Sequence, residues 1–552
     1  MKFLKNPWVL RSLLSLLIGG VGSFILFYLF LPPLNVQSVG FWFYLAVCLI
    51  LFALPFLNIK LDVAFSQLKA ASGGQIRGKG KLIRSVNLFA LIPAGLCIVV
   101  IFVGLIISST VFNARGYADV ITVNKDSSFS EDLPETSEVT NIALMDTDSA
   151  TILGNRTLGS LSNVVSQYVV SYAYTQINYR NTPKKVSNLE YDGFFKWIGN
   201  REAGIPGMVM VDPVANTAEY IEFKEGMHYA ESAYFADDLE RKLRFDYPTK
   251  IFSSISFEID ENGNPYYIVS CSAPTVMLFG ASDVKEVIIF NPTDGSSELY
   301  AIDETPSWVD IVYTGDLATE KYNWYGTYSG GFINSIIGNK GCTLATDDFG
   351  YVVIEDDVWY FTGVTSAVSD DKSNIGFIIN NARTGEYKFY AVTGAEEHSA
   401  MNAAEGEVQE KGYIASFPSL VNVAGQPTYI MVLKDNAGLV KLYALVNVEQ
   451  YSIVATGTTQ AEAISAYKKL LMQSGVDTDA TSEEVTVEVW AVRIVNISDT
   501  ATVYITASDG NIYKGYLEAD EALITILFGD KLTISYTETQ VAGVRSIISW
   551  SR

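Results

Sequence analysis

Three uninterrupted apolar runs fill the first 112 residues, after which the chain turns to short stretches of alternating apolar and polar positions. The first run, roughly Leu13 to Leu31, carries no charge. At ~1.5 Å per residue it is long enough to cross about 30 Å of hydrocarbon as a helix. The second, about Phe41 to Leu57, is shorter and the third, about Leu88 to Phe112, longer; neither holds a charged side chain. Pro32 and Pro33 follow a full-length span and two more spans come after, so the pattern predicts an uncleaved multi-pass anchor over residues 1–112. Gly19, Gly20 and Gly22 offer a face on which a second helix could pack closely.

Basic flanks set direction. Lys2, Lys5 and Arg11 precede the first run, and Lys60, Lys69, Arg77, Lys79, Lys81 and Arg84 lie between the second and third. The loop from Pro32 to Gly40 has no basic residue. Such residues stay on the cytoplasmic side, so the N-terminus is expected inside and everything after residue 112 outside. The six cations from Lys60 to Arg84 also form a candidate face for anionic lipid, at about 1 kcal/mol per charge near the surface.

In the rest of the chain a fixed order of elements recurs. GMVMVDPVANTAEYIEF at 207–223 and GFIINNARTGEYKFYAV at 376–392 both read as strand, polar turn, strand. Each leads to an Ala-spaced helical segment, from His228 and His398, then to Tyr247-Pro248 or Phe417-Pro418, then to strands around Gly263-x-Pro265 or Gly425-x-Pro427. This spacing predicts an internal duplication of helix-plus-antiparallel-sheet units over 141–475. Candidate helices start near Leu158, Tyr229, Pro306, His398 and Thr458, the last with Thr459 and Glu462 spaced as a capping box. Residues 113–140 are polar and Ser/Glu-rich and read as a tether. Residues 484–552 hold five or six short strands, the pattern of a small β-barrel of OB or SH3-like type. The fold class is α+β behind three transmembrane helices.

Charge narrows the partners. Beyond residue 112 there remain 29 Lys+Arg against 60 Asp+Glu, a net of −31. A surface of that sign argues against nucleic acid, whose recognition needs clustered cations, and favours cations or basic polymers. Only His228 and His398 are present, and of four cysteines Cys271 and Cys342 lie beyond the spans, where one disulfide between them is open. No zinc signature, GxSxG, phosphate-binding Gly-rich loop or other cofactor motif can be assembled. Asp347-Asp348 and Glu355-Asp356-Asp357 lack the spacing of a calcium loop and read as solvated turns. Asn155-Arg-Thr and Asn496-Ile-Ser fit a glycosylation triplet too short to carry weight.

The helix-then-strands unit, with Asn291-Pro-Thr-Asp-Gly295 leading into Glu298-Leu-Tyr, resembles the PepSY module of peptidase propeptides and extracytoplasmic bacterial membrane proteins. With the three spans, the segments at 153–180 and 331–341 resemble a family of multi-pass membrane proteins of anaerobic Gram-positive bacteria to which no activity is attached. The resemblance implies a bacterial plasma membrane and supplies no catalytic residue.

The expected function is therefore non-enzymatic: a membrane-anchored extracytoplasmic protein of the cell envelope that binds another protein or itself. A PepSY-like regulator or inhibitor of an extracytoplasmic peptidase or wall enzyme is the alternative. A hydrolase working through paired carboxylates ranks below both.

Overall fold

The computed structural model describes residues 7–57, 88–133, 135–136, 144–346, 348–354, 357–368, 373–474, 483–497, 500–517, 520–538 and 543–552. Helix Pro7–Phe30, helix Val39–Ala53 with its 3-10 extension Leu54–Phe56, and helix Ile92–Ile107 behind a 3-10 turn form the N-terminal bundle. Within them Trp8–Phe30, Val39–Phe56 and Phe89–Ile107 are long and apolar enough to cross a membrane. Glycine is needed at the first helix crossing. A Cβ on Gly19 would stand 2.3 Å from the Phe52 ring.

The third span ends at Ile107, five residues short of the expected Phe112. Ser109 Oγ donates to Ile106 O at 2.7 Å and Asn113 Nδ2 to Ile107 O at 2.5 Å, so side chains take the carbonyls that a continuing helix would use. The stretch expected as a tether is instead packed wherever it is described. Helix Thr110–Ala118 lies along helix Gly315–Tyr328, Val123–Asn124 pairs in parallel with Tyr387–Tyr390, and Phe129 and Leu133 are buried beside Tyr390. Residues 137–140 lie outside the described residues.

Among the described residues four large, mainly antiparallel sheets follow, with a two-stranded ribbon of Ser373–Asn374 and Gly394–Ala395 beside them. The first comprises Tyr168–Val170, Thr175–Tyr179, Thr182–Tyr191, Ile205–Asp212 and Thr217–Met227. The second is a meander of Ile251–Ile259, Pro265–Val276, Gly280–Phe290 and Ser297–Ala301. The third gathers Thr343–Ala345, Gly350–Ile354, Asp357–Ser366, Gly376–Asn381 and Tyr387–Tyr390 with the parallel edge Val123–Asn124. The fourth holds Ile414–Ala415, Ser419–Val423, Gln426–Lys434, Val440–Asn447 and Val454–Gly457. A helix precedes each sheet in the chain: Thr147–Gly159, Leu239–Asp246, Gly315–Tyr328 and Glu397–Glu407.

Leu239 and Leu243 share one core with Met208 and Val209 of the first sheet and Val269 and Ile288 of the second. Ala400, Ala404 and Val408 do the same between Phe377 and Ile379 of the third sheet and Tyr429 and Met431 of the fourth. Strand side chains at every second position enter these cores at Val269 and Cys271, Phe377 and Ile379, and Tyr429 and Met431, whereas the strand Ile205–Asp212 contributes the consecutive residues Met208 to Val211.

Three helix starts differ from the sequence reading. The helix expected to begin near Leu158 ends there, starting at Thr147 where Asp146 accepts from Ser149 N–H. The one expected from Tyr229 begins ten residues later, where Asp238 accepts from Arg241 N–H. The one expected from Pro306 begins at Gly315, capped by Thr314 on Leu317 N–H. In each case a side-chain acceptor at the cap position overrides the apolar spacing. His228 and His398 are consequently not equivalent: only His398 sits at a helix start. The last helix, Gln460–Gln473, has the expected Thr459 cap, Thr459 Oγ1 accepting from Glu462 N–H at 3.2 Å, while Glu462 reaches back one residue further than a capping box does and accepts from Thr458 N–H at 3.0 Å. Residues 483–552 close into a five-stranded barrel, in the order Glu483–Ile497, Thr500–Ala507, Ile512–Tyr516, Val544–Ser551, Lys531–Glu538.

The bundle is fastened to the sheets by hydrogen bonds at two spans. Beyond the first, Leu34 N donates to Pro248 O at 2.7 Å and Arg244 Nε to Leu31 O at 3.0 Å. Beyond the third, Ser108 Oγ accepts from the N–H groups of Leu278 and Phe279 at 3.2 and 3.0 Å.

Candidate functional site

Where strand Thr175–Tyr179 packs against Ile251–Ile259 and Asp357–Ser366, three sheets meet and leave a cavity of about 260 Å³. Its walls are aromatic at Phe257, Tyr267, Phe349, Tyr351 and Tyr360, and carry two acids, Glu231 and Asp316. Among the described lining residues there is no Lys, Arg or His. Asp316 lies in the first turn of helix Gly315–Tyr328, where the helix dipole favours a carboxylate. Gly315 is required beside it, because a Cβ would stand 2.2 Å from the Phe349 ring.

The polar wall holds hydroxyls, of which Tyr174 Oη has no partner, and two amides. Asn188 Nδ2 is committed to Leu189 O at 3.1 Å and Tyr267 Oη at 3.2 Å. Gln176, 2% exposed, donates to Lys184 O at 3.1 Å, and its Oε1 accepts nothing. A buried acceptor left empty costs about 1–3 kcal/mol, so a donor arriving there recovers that free energy.

A second cavity, about 370 Å³, opens between the end of the first span and the second sheet, lined by Leu31, Glu240, Arg244, Phe252, Ser253 and Ser254. Glu231 and Ile255 line both hollows. Glu231 is exposed at the mouth of these hollows, where partial desolvation holds its carboxyl above the usual carboxylate range and Glu190, Glu240 and Asp238 add to it by repulsion. Among the described residues no cation pairs with Glu231. The nearest guanidinium in the second hollow, Arg244, is spent on carbonyls: Leu31 O, Tyr247 O at 3.3 Å and Lys250 O at 2.6 Å. Burial brings it down to about 10.

Three further charges are buried around these hollows. The Lys185 ammonium rests 5.2 Å from the Tyr351 ring centre, and burial lowers it to about 8 against the opposing field of Asp146. Glu258, fully buried, accepts from the backbone N–H groups of Asp310 and Ile311 at 2.8 and 2.9 Å, yet burial pushes it up to about 7. Lys321 pairs with Asp283 at 2.5 Å and thereby joins helix Gly315–Tyr328 to the second sheet.

An aromatic-walled hollow with an empty amide acceptor at Gln176, an unpartnered hydroxyl at Tyr174 and two acids suits a ligand that brings donors and positive charge. An ammonium has three N–H donors and no acceptor, and ring faces attract cations at about 0.5–2 kcal/mol each. None of this is visible as a motif, since Gln176, Glu231, Asp316 and Tyr360 are spread over some 180 residues. The residues singled out from sequence are elsewhere. Lys60, Lys69, Arg77, Lys79, Lys81 and Arg84 lie outside the described residues, as do Asp347, Glu355 and Asp356. Asp357 is engaged by Arg383 at 2.6 Å, and Cys271 and Cys342 are buried free thiols. His228 Nδ1 hydrogen-bonds Arg201 O at 3.1 Å.

A scan against protein-family models and a search of curated proteins each found no match for this chain.

Proposed function

We propose that this protein is a non-enzymatic, membrane-anchored binding protein of the bacterial envelope, with its N-terminus cytoplasmic and its sheets extracytoplasmic. Its ligand site is the pair of hollows joined at Glu231. The observation that carries the reading is Glu231: a solvent-reaching carboxylate that no cation among the described residues pairs, shared by two cavities, one of which opens at the end of the first span. The net charge of −31 beyond the spans concentrates cations around the same body. The basic flanks of the spans support the orientation.

The two helix-and-two-sheet cores support the duplication and, with it, the PepSY-like resemblance. In the barrel Ile512–Tyr516 and Val544–Ser551 run parallel, and a short helical turn at Glu521–Thr525 separates Ile512–Tyr516 from Lys531–Glu538 along the chain, which supports an OB-like over an SH3-like type. Self-association and regulation of a wall enzyme are separate uses of the same body. Native mass measurement after gentle detergent extraction distinguishes them: a bound small molecule, a homo-oligomer, or a stoichiometric enzyme.

The direct test is titration calorimetry of the full chain in detergent with putrescine and choline as probes. Binding that weakens at least tenfold in Glu231→Gln, with unchanged thermal unfolding, is the expected result. Equal affinity in the variant removes Glu231 from the site, and no heat with either probe removes the amine reading.

A further inference from the structure

Water penalises exposed apolar side chains by about 25 cal/mol per Å², and large ones gathered in one place mark a surface meant for something else. Two such groups occur here, each beside the outer end of a span.

At the first span, Phe245 is 46% exposed yet stacks edge-on against Phe27 at 5.5 Å, one turn inside the span's end at Phe30. Arg241 lies 4.3 Å from the Tyr28 ring and donates to Phe235 O at 2.6 Å, which brings exposed Phe235 to the same level. At the third span, the hairpin tip Met277–Phe279 reaches down beside the helix. A Cβ on Gly104 would lie 2.3 Å from the Phe279 ring, and Gly104 is three residues, about 4.5 Å, inside the end of the span. Met277 at that tip is exposed, in a left-handed turn with φ of 52°.

A third element arrives by way of helix Gly315–Tyr328. Ile121 clusters with Ala318 and Tyr322, while Tyr117, nearer the membrane, packs on Trp324 at 5.3 Å and Tyr328 at 6.4 Å. The two helices are therefore antiparallel, and the chain leaves Tyr328 heading toward the third span. It then makes the turn Asn334–Gly338, in which Asn334 ties itself to Lys340 by bonds of 3.0 and 3.1 Å. The polar side of the turn is thus satisfied inward, while Ile333, Ile336 and Ile337 point out, 74%, 60% and 80% exposed.

We infer that Phe235, Phe245, Met277, Ile333, Ile336 and Ile337 form a ring that sinks into the acyl boundary of one leaflet, so that the sheets sit partly in the bilayer. The occupant of this surface is lipid because the ring is continuous with the spans and lies at the level of their last turn. The spans agree in length. At 18 and 19 residues, the second and third reach about 27–29 Å, slightly under the usual hydrocarbon thickness, which draws the body downward. The inference rests on the anchoring of the three helices, and the test separates the two.

Single cysteines are placed at Met277 and Ile337, at Phe24 within the first span, and at Asn262. Asn262 lies at the far end of the 12-residue strand Pro265–Val276, about 40 Å from Met277. The four native thiols are buried, and the unsubstituted protein reports their residual labelling. Each variant of the full chain is labelled with an environment-sensitive fluorophore and placed in phosphatidylcholine vesicles with and without brominated acyl chains. The expected result is blue-shifted emission and loss of intensity in brominated lipid at Met277, Ile337 and Phe24, with neither at Asn262. Water-like emission at Met277 or Ile337 with quenching kept at Phe24 overturns the ring. Blue-shifted but unquenched emission at those two sites overturns it as well, in favour of a protein cover. Loss of quenching at Phe24 overturns the anchor itself.

Discussion

The Lys321–Asp283 pair gives the sharpest test of how the second sheet and helix Gly315–Tyr328 are held together. The Lys321 side chain is 3% exposed and Asp283 13%, and the ammonium also faces the rings of Tyr313 at 4.6 Å and Tyr387 at 5.8 Å. Lys321→Met keeps the stem that packs on these rings and removes the charge. Breaking a buried pair costs about 3–5 kcal/mol, because the remaining ion is left without a partner. Here Asp283 retains Lys285 at 3.0 Å, half exposed, so about 2–3 kcal/mol is expected. Asp283→Asn removes the ion from the other side, and the double variant leaves no buried uncompensated charge, only the half-exposed Lys285. The coupling between the two substitutions is therefore at least about 1.5 kcal/mol. Urea unfolding in detergent, followed by the fluorescence of Trp324 on the same helix and Trp308, reads all four corners. A loss under ~0.5 kcal/mol in Lys321→Met, or strict additivity in the double variant, refutes the argument that burial makes this pair count.

Two further outcomes follow from the same reasoning. Glu258 has its pKa raised to about 7, so the folded state holds a proton more tightly than the unfolded chain. Stability is greatest below the ordinary glutamate value of ~4.3 and falls by about 3 kcal/mol as pH rises toward 7, and Glu258→Gln flattens that slope. Thermal unfolding at pH 5, 6 and 7 checks it, and an identical slope in the variant contradicts it. Gly104→Val forces the hairpin tip off the third span, since its Cβ meets the Phe279 ring. A cost of about 1–3 kcal/mol and faster proteolysis at Leu278 are expected, with the apolar helices still inserted; unchanged proteolysis speaks against the docking.

Local features were legible because they need no partner. Hydropathy alone marked the three apolar helices, and Thr459 with Glu462 marked the start of the last helix, since a capping box is complete within four residues. The strand pairs around the turns at 213–216, 382–386, 260–264 and 424–425 followed from alternation, and a closed barrel occupies the span read as one. The helix starts at Leu239 and Gly315 were not legible, because Asp238 and Thr314 look like any turn residue until the following N–H groups are seen to point at them. The 113–136 stretch was misread for the opposite reason. Its polar composition is real, but Phe129, Leu133 and Val123 find their partners more than 250 residues away, at Tyr390, Asn422 and Tyr387.

The candidate site shows why alternation misleads at the junctions between sheets. In ISFEI, from Ile255 to Ile259, a period of two assigns Ser256 and Glu258 to a solvent face. That face is covered by the segment Asp310–Ile311, whose N–H groups need acceptors, so a carboxylate is held inside the protein by backbone from another part of the chain. Gln176 and Lys185, cross-strand partners in the first sheet, are buried the same way. Sequence reports the polarity of a residue and not the number of layers above it. A body built of four sheets has several places where both faces of a strand are covered, and those are the places where buried polar groups, and hence a ligand site, can form.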